Sequence, residues 1–563
     1  MANLLGTIQQ SAGALNAAQI GLQVVGNNIA NANTPGYIRQ TLNQAAATGT
    51  RQGNLIEGGG VRPLGIVQQI DQQIFERMIN AKTSLEGSNL LREAYGRLEE
   101  MTNDLEGGGL NEQLSLFNNA LQELSVQPND PSLREFVTLQ ATSLADRIRQ
   151  NRNDALGRAE LYNAELSTAA SEINKLARRI ADLNVEIATL EGGGALDSDA
   201  TGLRDRRYQD LEELAGYLDI NIQEQSTGVI NVFVGGDYLI SNGIPREVRS
   251  AYNEEIDGQE IRIVETDSPV QSSGGIVGSA IAARDEVFGS YVDNLDRLTA
   301  GLIRGVNELH AQGQGGRGHR SIVADKRVDA FVPLVDAGLP FEPRNGSFDV
   351  TLVDDAGLPI STHRIGVRKL GQVGDSTVAS IAADLDAIDG LTTSIDSRGQ
   401  LTIASDSPAA RFTFSDDNSG FLAAAGINTF FTGTSSLDIG VNPTVIDDPD
   451  LISVSLGGIG NDTDALTGLI DLINQPLDHL DGQSVRGLYE RTITGLAQRV
   501  SLQQGASDGL ENFYATLRSQ HLGITGVNID EESINMIGYQ RAFQASSRVI
   551  QTASEMLELL VNL

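Results

Sequence analysis

The 563-residue sequence contains no cysteine, which excludes a disulfide framework, thiolate metal sites and cysteine nucleophiles. It also has no apolar run approaching the roughly 18 residues that a membrane-spanning helix needs. Its first ten residues, MANLLGTIQQ, lack the basic segment and the apolar run of a signal peptide. We therefore expect a protein without a membrane span or a cleaved signal peptide.

Basic residues are scarce: 40 Lys and Arg stand against 74 Asp and Glu, a net charge of −34. Such a balance argues against binding to nucleic acid or to an anionic membrane through bulk electrostatics. The charge is uneven, because residues 1–70 hold only Arg39, Arg51, Arg62 and Glu57 and so carry +2. This weakly charged segment is suited to contact with other protein surfaces.

Motifs for catalysis are also missing. The sequence has no phosphate-binding GK[ST] loop and no H-E-x-x-H. The run GQGGRG at 313–318 follows a helical pattern instead of a strand, so it indicates a flexible turn, and DDPD at 447–450 indicates an acidic turn. The five histidines lack metal-ligand spacing and are expected at surface or helix-end positions. We expect no catalytic, cofactor-binding or metal site.

Apolar residues recur at alternating steps of three and four near both ends of the chain, which is the pattern of a coiled-coil seam. We expect the large residues of these seams to form an assembly interface: Leu4, Ile8, Leu15, Leu22, Val25 and Ile29 in the first helix, and Met536, Tyr539, Phe543, Ile550, Leu557 and Leu560 in the last. Without a partner to bury its stripe, the first helix would fray.

The interior predicts a mainly α fold with inserted β structure. Helical patterns run over 110–124, 133–148, 166–190 before a GGG breaker, 278–310, 463–480 and 485–521. A small β patch is predicted at 220–264 and a mixed β-rich outer domain at 341–444, with one helix near 377–388. The length suggests three or four domains or an elongated body. We predict 1–40 with 525–563 as a terminal coiled-coil domain, and 41–340 with 445–524 as a long-helix body.

Residues 27–37 read NNIANANTPGY. Asn tolerates helix-end and left-handed geometry, and Thr34, Pro35 and Gly36 predict a type II turn with Pro and Gly at its two central positions. This signature loop ends the first helix and leaves Tyr37 to anchor the next segment. Its expected functional residues are Asn27, Asn28, Asn31, Asn33, Thr34, Pro35, Gly36 and Tyr37.

That loop, preceded by SAGALNAAQIGLQVVG, resembles the N-terminal signature of the bacterial flagellar axial proteins, the family of rod, hook and hook-associated subunits. The final segment GVNIDEESINMIGYQRAFQASSRVIQTASEMLELL resembles their C-terminal signature. Three interior stretches, beginning LSLFNNALQEL, SYVDNLDRL and SGFLAAAGIN, are similar to segments of the hook-associated members. One departure is the run GQGGRGHRSIVADKRVDAF, where those members continue through a Gly-rich turn to a Phe pair.

The resemblance implies an extracellular structural subunit at the junction of hook and filament, exported by the flagellar type III pathway. Its implied partners are further copies of itself, the hook protein, the next junction protein, the export apparatus and an export chaperone binding the C-terminal helix. Three alternatives stay open: a hook or distal-rod subunit, an axial scaffold carrying a hydrolase domain at 341–444 with His363 as its only histidine, and an adhesive role for that domain.

Overall fold

The computed structural model describes residues 2–52, 55–103, 108–191, 200–225, 227–372 and 374–561. Helices dominate, and the longest lie at 131–191 and towards both ends of the chain. The α-helices are α1 (Ala2–Ala30), α2 (Gln72–Thr102), α3 (Leu110–Val126), α4 (Pro131–Glu191), α5 (Thr201–Tyr217), α6 (Gly275–Ala282), α7 (Ser290–Ala311), α8 (Val378–Asp386), α9 (Phe421–Ala425), α10 (Pro443–Asp447), α11 (Asp464–Leu472), α12 (Val485–Thr525) and α13 (Ile529–Val561).

The strands are short and form small antiparallel sheets. They are β1 (Gln40–Ala46), β2 (Thr50–Gln52), β3 (Leu55–Glu57), β4 (Val61–Gln68), β5 (Ile220–Glu224), β6 (Ile230–Val234), β7 (Asp237–Ser241), β8 (Ile244–Pro245), β9 (Val248–Asn253), β10 (Gly258–Ile263), β11 (Ser321–Val323), β12 (Gly346–Asp354), β13 (Pro359–Val367), β14 (Leu391–Ile395), β15 (Leu401–Ser405), β16 (Ala410–Ser415), β17 (Phe431–Thr432) and β18 (Gly440–Val441). This combination of long helices and small sheets confirms the predicted fold class.

The chain divides into two compact units. The first comprises residues 1–94, 160–284 and 501–563, and the second comprises 95–159 and 285–500. The three-part division predicted from the texture of the sequence stays a prediction.

In the first unit, α1 lies against α13 and against the hairpin of β1 and β4. The sheet β5-β6-β7-β8 is attached to α4 by one buried side chain. Asn184 donates from Nδ2 to the carbonyl of Ile230 at 2.8 Å, and its Oδ1 accepts from the amide of the same residue at 3.1 Å. Because both groups of the amide are bonded to one strand residue, Asn184 satisfies backbone that the strand would otherwise leave unpaired.

In the second unit, a core of buried aliphatic and aromatic side chains joins the sheet β13-β12-β16 to α8 and α9. The rings of Phe348 and Phe421 stack with their centroids 5.9 Å apart. Helix α7 is tied to β17 by Asn307, whose Nδ2 donates to the carbonyl of Phe431 at 2.8 Å. Its Oδ1 accepts from the amides of Phe430 and Phe431 at 3.0 and 2.9 Å.

Several predicted elements differ in extent. The patterns at 133–148 and 166–190 belong to one helix, α4, which starts where Asp130 accepts from the amide of Ser132 at 2.8 Å with Pro131 as the first helical residue. The GGG that was expected to end it lies outside the described residues. The helix predicted over 463–480 ends at Leu472, shortly before Pro476, which cannot continue a helix.

The prediction over 278–310 covers α6, a π-helical turn at Ala283–Gly289 and α7. The hairpins at 40–68 were not predicted, because their residues lack a strict alternation of apolar and polar side chains. The histidine prediction was wrong for His319, which is 8% exposed and lies outside the helices, whereas His310 lies in the last turn of α7, a helix end as expected, although it is 0% exposed. Burial lowers the pKa of both imidazoles to about 4, so both are neutral at pH 7.

Candidate assembly site at the two ends of the chain

The helices α1 and α13 form an antiparallel pair. Asn28 bonds Glu532, and seven residues earlier in α1 a Cβ on Gly21 would lie 2.4 Å from the ring of Tyr539, seven residues later in α13. A step of one heptad towards the N-terminus of α1 therefore corresponds to a step of one heptad towards the C-terminus of α13. Gly21 admits the Tyr539 ring where any larger residue would force it aside, so the small residue and the aromatic residue fix the register together.

The predicted seam residues lie in this pair, but few are fully buried. Val25 is 2% exposed and Leu560 is 49% exposed. The other ten are half-buried: Leu4, Ile8, Leu15, Leu22, Ile29, Met536, Tyr539, Phe543, Ile550 and Leu557. The two helices thus cover the seams only in part, and whether neighbouring subunits cover the rest stays a prediction. The same periodicity runs through Ala18 and Ala553, which are 3% and 4% exposed, but it did not single out the buried residues Ala17 and Val24.

A second apolar row lies on α13. Ile534, Ile537, Met556 and Leu559 are between 49% and 70% exposed. At 100° per residue, Ile534, Ile537 and Leu559 fall on the side of the helix opposite the seam, and Met556 lies at the flank, about 100° from the centre of the seam. Within the described chain, α13 therefore presents one apolar face to α1 and another to its surroundings.

The signature loop begins within the last turn of α1, where residues 27–30 are helical, and it has the predicted turn. The amide of Tyr37 donates to the carbonyl of Thr34 at 3.2 Å, and Gly36 has φ +74°, the left-handed value required at the third position of a type II turn. Gln209 of α5 donates from Nε2 to the carbonyl of Pro35 at 3.0 Å. A Cβ on Gly36 would collide with that side chain, at 1.4 Å from its Nε2.

The asparagines of the loop have different surroundings. Asn31 donates from Nδ2 to the carbonyl of Asn27 at 3.0 Å, and its Oδ1 accepts from the hydroxyl of Thr34 at 3.2 Å. Asn33 is exposed. Asn28 is 1% exposed, and its amide joins three segments of the chain.

Asn28 donates from Nδ2 to the carbonyl of Gln40 and to Oε2 of Glu532, both at 2.9 Å. Its Oδ1 accepts from the hydroxyl of Tyr37 at 2.8 Å and from the amide of Gln40 at 3.0 Å. One buried amide therefore fixes the end of α1, the start of β1 and the first turn of α13. Its full hydrogen-bonding capacity is used, as burial requires.

Glu532 is the charged centre of this arrangement. Its side chain is 2% exposed, and Arg39 bonds its Oε1 from Nε at 2.9 Å and from Nη2 at 2.6 Å. Arg39 also pairs with Oε2 of Glu531 at 2.9 Å, and its amide donates to the carbonyl of Thr525, the last residue of α12. We call Asn28, Tyr37, Arg39, Gln40 and Glu532 the terminal clasp.

Burial and the charges of Asp205 and Glu532 raise the pKa of Tyr37 to about 12, so its phenol stays a donor at every physiological pH. Sequence reasoning selected Asn28 and Tyr37 but omitted Arg39, Gln40 and Glu532. Two features of the sequence could have marked the missed charged residues. Arg39 is the first charged residue of the chain, and Glu532 belongs to the acidic cluster in the first turn of the last helix.

Nothing in the described part of the chain resembles a metal centre or a membrane anchor. No group of three His, Asp or Glu side chains there could hold a metal ion. Among the described helices, none has both the length and the apolar character needed to cross a membrane.

Comparison with known proteins places the chain. Three family models match it: "Flagella basal body rod protein" at residues 8–37, "Flagellar hook-associated protein FlgK helical domain" at 95–321, and "Flagellar basal body rod FlgEFG protein C-terminal" at 518–563. The first and last cover α1 with the signature loop and α13, the elements that the terminal clasp joins.

Proteins named "Flagellar hook-associated protein 1" from Salmonella typhimurium and Escherichia coli are each 23% identical to the chain, with 99% of both chains covered. The Bacillus subtilis protein of that name is also 23% identical, over 98% of this chain and 96% of its own. A solved structure, the flagellar hook junction protein FlgK from Burkholderia pseudomallei, matches with 15% identity and a TM-score of 0.49, covering 79% of this chain and 99% of its own.

The chain therefore belongs to the axial proteins of the bacterial flagellum, the class of rod, hook and hook-associated subunits. It is a structural protein of the flagellum. Within that class, it belongs to the family of flagellar hook-associated protein 1.

The terminal clasp can be tested by neutralising its buried carboxylate. Glu532→Gln leaves the largely buried Arg39 with only the exposed Glu531 as a charge partner, which we expect to cost about 2–4 kcal/mol. Glu531→Gln is the matched control, because Glu531 is 57% exposed and an exposed pair contributes about 1 kcal/mol or less. Amide hydrogen exchange in α1 and α13 measures both effects. Equal exchange in the two variants would contradict the assigned role of Glu532.

The turn can be tested at Gly36. Gly36→Ala places a Cβ at positive φ and displaces Gln209, so we expect a loss of about 1–2 kcal/mol of stability. Gly26→Ala, inside α1 with open space at its Cβ, is expected to stabilise by about 0.5–1 kcal/mol. Thermal unfolding followed by circular dichroism separates the two, and a Gly36→Ala protein as stable as wild type would contradict the strained-turn assignment.

Proposed function

We propose that this protein joins the flagellar hook to the filament, and that paired α1 and α13 helices of successive copies pack together to build the junction. The observation that carries the proposal is the two-faced character of α13, with a half-buried seam against α1 and an exposed apolar row on the opposite side. An exposed row of large apolar side chains is characteristic of a surface that another protein covers.

Folding and assembly are coupled in this proposal. A half-buried seam stabilises the pair only weakly, and contact with neighbouring copies removes the remaining apolar area from water at about 25 cal/mol per Å². The pair is therefore most stable at the growing end of the structure, where such neighbours are present. The net charge of −34 keeps free subunits apart before they reach that place.

The proposed partners are further copies of this chain, the hook protein on one side and the next junction protein on the other. We further propose that the chain reaches the cell exterior through the flagellar type III apparatus, with an export chaperone covering the C-terminal helix. Nucleic acid and membrane are not proposed as partners. The region 341–444 is proposed as an outer domain.

We propose no catalytic activity. In the enzyme alternative the base would be His363, whose Nε2 lies 3.1 Å from Oγ of Ser361 on β13. His363 is exposed on a strand with one described neighbour, β12, whereas acyl transfer requires an enclosed site with preorganised donors for a developing oxyanion. The exposed position of His363 therefore disfavours the enzyme alternative.

The location is tested by immunogold electron microscopy of intact flagella with an antibody raised against residues 341–444. We expect one band where hook meets filament. Label along the whole hook would instead make this protein a hook subunit, and label confined to the cell wall would favour an enzyme.

The assembly mechanism is tested by removing the last 30 residues, 534–563, which we expect to leave a folded second unit that cannot join the flagellum. A sharper variant is Ile534→Ser with Ile537→Ser and Leu559→Ser, which removes the exposed apolar residues opposite the seam and leaves the seam and the clasp intact. Its matched control, Val126→Ser with Leu139→Ser, alters apolar residues that are 78% and 59% exposed elsewhere. Complementation of a deletion strain is the measurement, and motility restored by the triple variant would contradict the proposal.

A further inference from the structure

A buried carboxyl group lies directly behind the signature loop. Asp205 of α5 is 7% exposed. It accepts from the backbone amide of Ile38, which follows the loop, and its Oδ1 accepts from Nε2 of Gln68 at the end of β4. One acid group on α5 is therefore bonded to both segments that lead into and out of the first hairpin.

The surrounding contacts make this an interface between α5 and the loop. Gln68 also donates to the carbonyl of Thr201 at 3.0 Å, and Gln40 donates from Nε2 to the hydroxyl of Thr201 at 2.9 Å. Together with the bond from Gln209 to Pro35, these contacts hold residues 35–40 against the first three turns of α5. Residues 37, 39 and 40 also belong to the terminal clasp, so loosening this interface loosens the clasp.

The ionised form of Asp205 has no cation to balance it among the described groups that face it. From the loop it meets the Tyr37 phenol, from β4 the neutral amide of Gln68, and on its own helix Tyr208. Arg39 is paired with Glu531 and Glu532, while Arg204 is paired with Glu191 and Glu224. Arg207 pairs with Glu224, and Arg206 is exposed. Glu532 adds a second negative charge near Tyr37.

We propose that Asp205 is a proton-operated latch: taking up a proton in mildly acidic medium, it tightens the contact between α5 and residues 35–40 and so holds the clasp that joins the two ends of the chain. The residue that takes up the proton lies on α5, outside the signature loop and outside α13. The latch is a property of the single chain and does not depend on where the protein sits in the flagellum.

The direction of this pH dependence follows from the burial of Asp205. Burial raises the pKa of Asp205 from 3.8 to about 7, against smaller opposing effects of the Ile38 and Gln68 hydrogen bonds. A carboxyl with a raised pKa in the closed state stabilises that state below its ordinary pKa and loses this contribution as the pH rises through 7. If opening returns Asp205 to its ordinary value, the opening constant rises about tenfold between pH 6 and pH 8.

Hydrogen exchange with mass spectrometry on the full-length protein tests the latch. Exchange of the segment 35–40 is measured at pH 6 and pH 8, with labelling times scaled for the intrinsic rate. In the wild type we expect about tenfold more opening at pH 8. Asp205→Asn, which mimics the neutral acid, should abolish this difference and keep the segment closed at both values.

Glu213→Gln is the matched control, because Glu213 is 58% exposed on the same helix and its variant should keep the wild-type pH dependence. The proposal is overturned if wild-type opening does not change with pH, or if the Asp205→Asn protein retains the change. Should Asp205→Asn destabilise the whole unit, exchange in the distant strands β9 and β10 would rise as well. In that case, the difference in opening of the wild-type segment 35–40 between pH 6 and pH 8 tests the proposal by itself.

Discussion

Everything at the two ends of this chain depends on one buried ion pair, Glu532 with Arg39. A carboxylate that is 2% exposed is costly unless its charge is balanced and its oxygens accept hydrogen bonds. Arg39 provides the charge and Asn28 occupies the second oxygen. Because these three residues come from the end of α1, the segment after the loop and the start of α13, satisfying one charge positions three pieces of backbone.

The clasp explains why the two helices need no long hydrophobic seam of their own. Register is set at one end by Asn28 and Glu532, and one heptad away by the Tyr539 ring over Gly21. With register fixed by polar groups and a size constraint, the seam residues beyond Gly21 and Tyr539 can remain half-buried. Their uncovered area is then free to contact other subunits, as the proposed assembly requires.

Local sequence patterns predicted both terminal helices, the β patch, the β-rich texture of 341–444 and the Thr34–Tyr37 turn, because each depends on local spacing or on residues with restricted backbone angles. They did not predict the clasp. The positions of Arg39 and Glu532 could have marked each residue separately, but nothing local shows that residues 493 apart in sequence will meet. The hairpin of β1 and β4 was missed for a related reason: its residues are stabilised by α1 and α5 instead of by their own alternation.

The long span between clasp partners has a kinetic consequence. Asn28 and Glu532 are separated by 504 residues, so their contact requires closure of a very large loop. Contacts of such high sequence separation form late in folding. Helix α1 is made first and waits for almost the entire remaining chain before its partner exists. The small residues and neutral amide side chains that separate the apolar residues of α1 therefore suit a segment that must remain unpaired for a long time without adhering to the wrong surface.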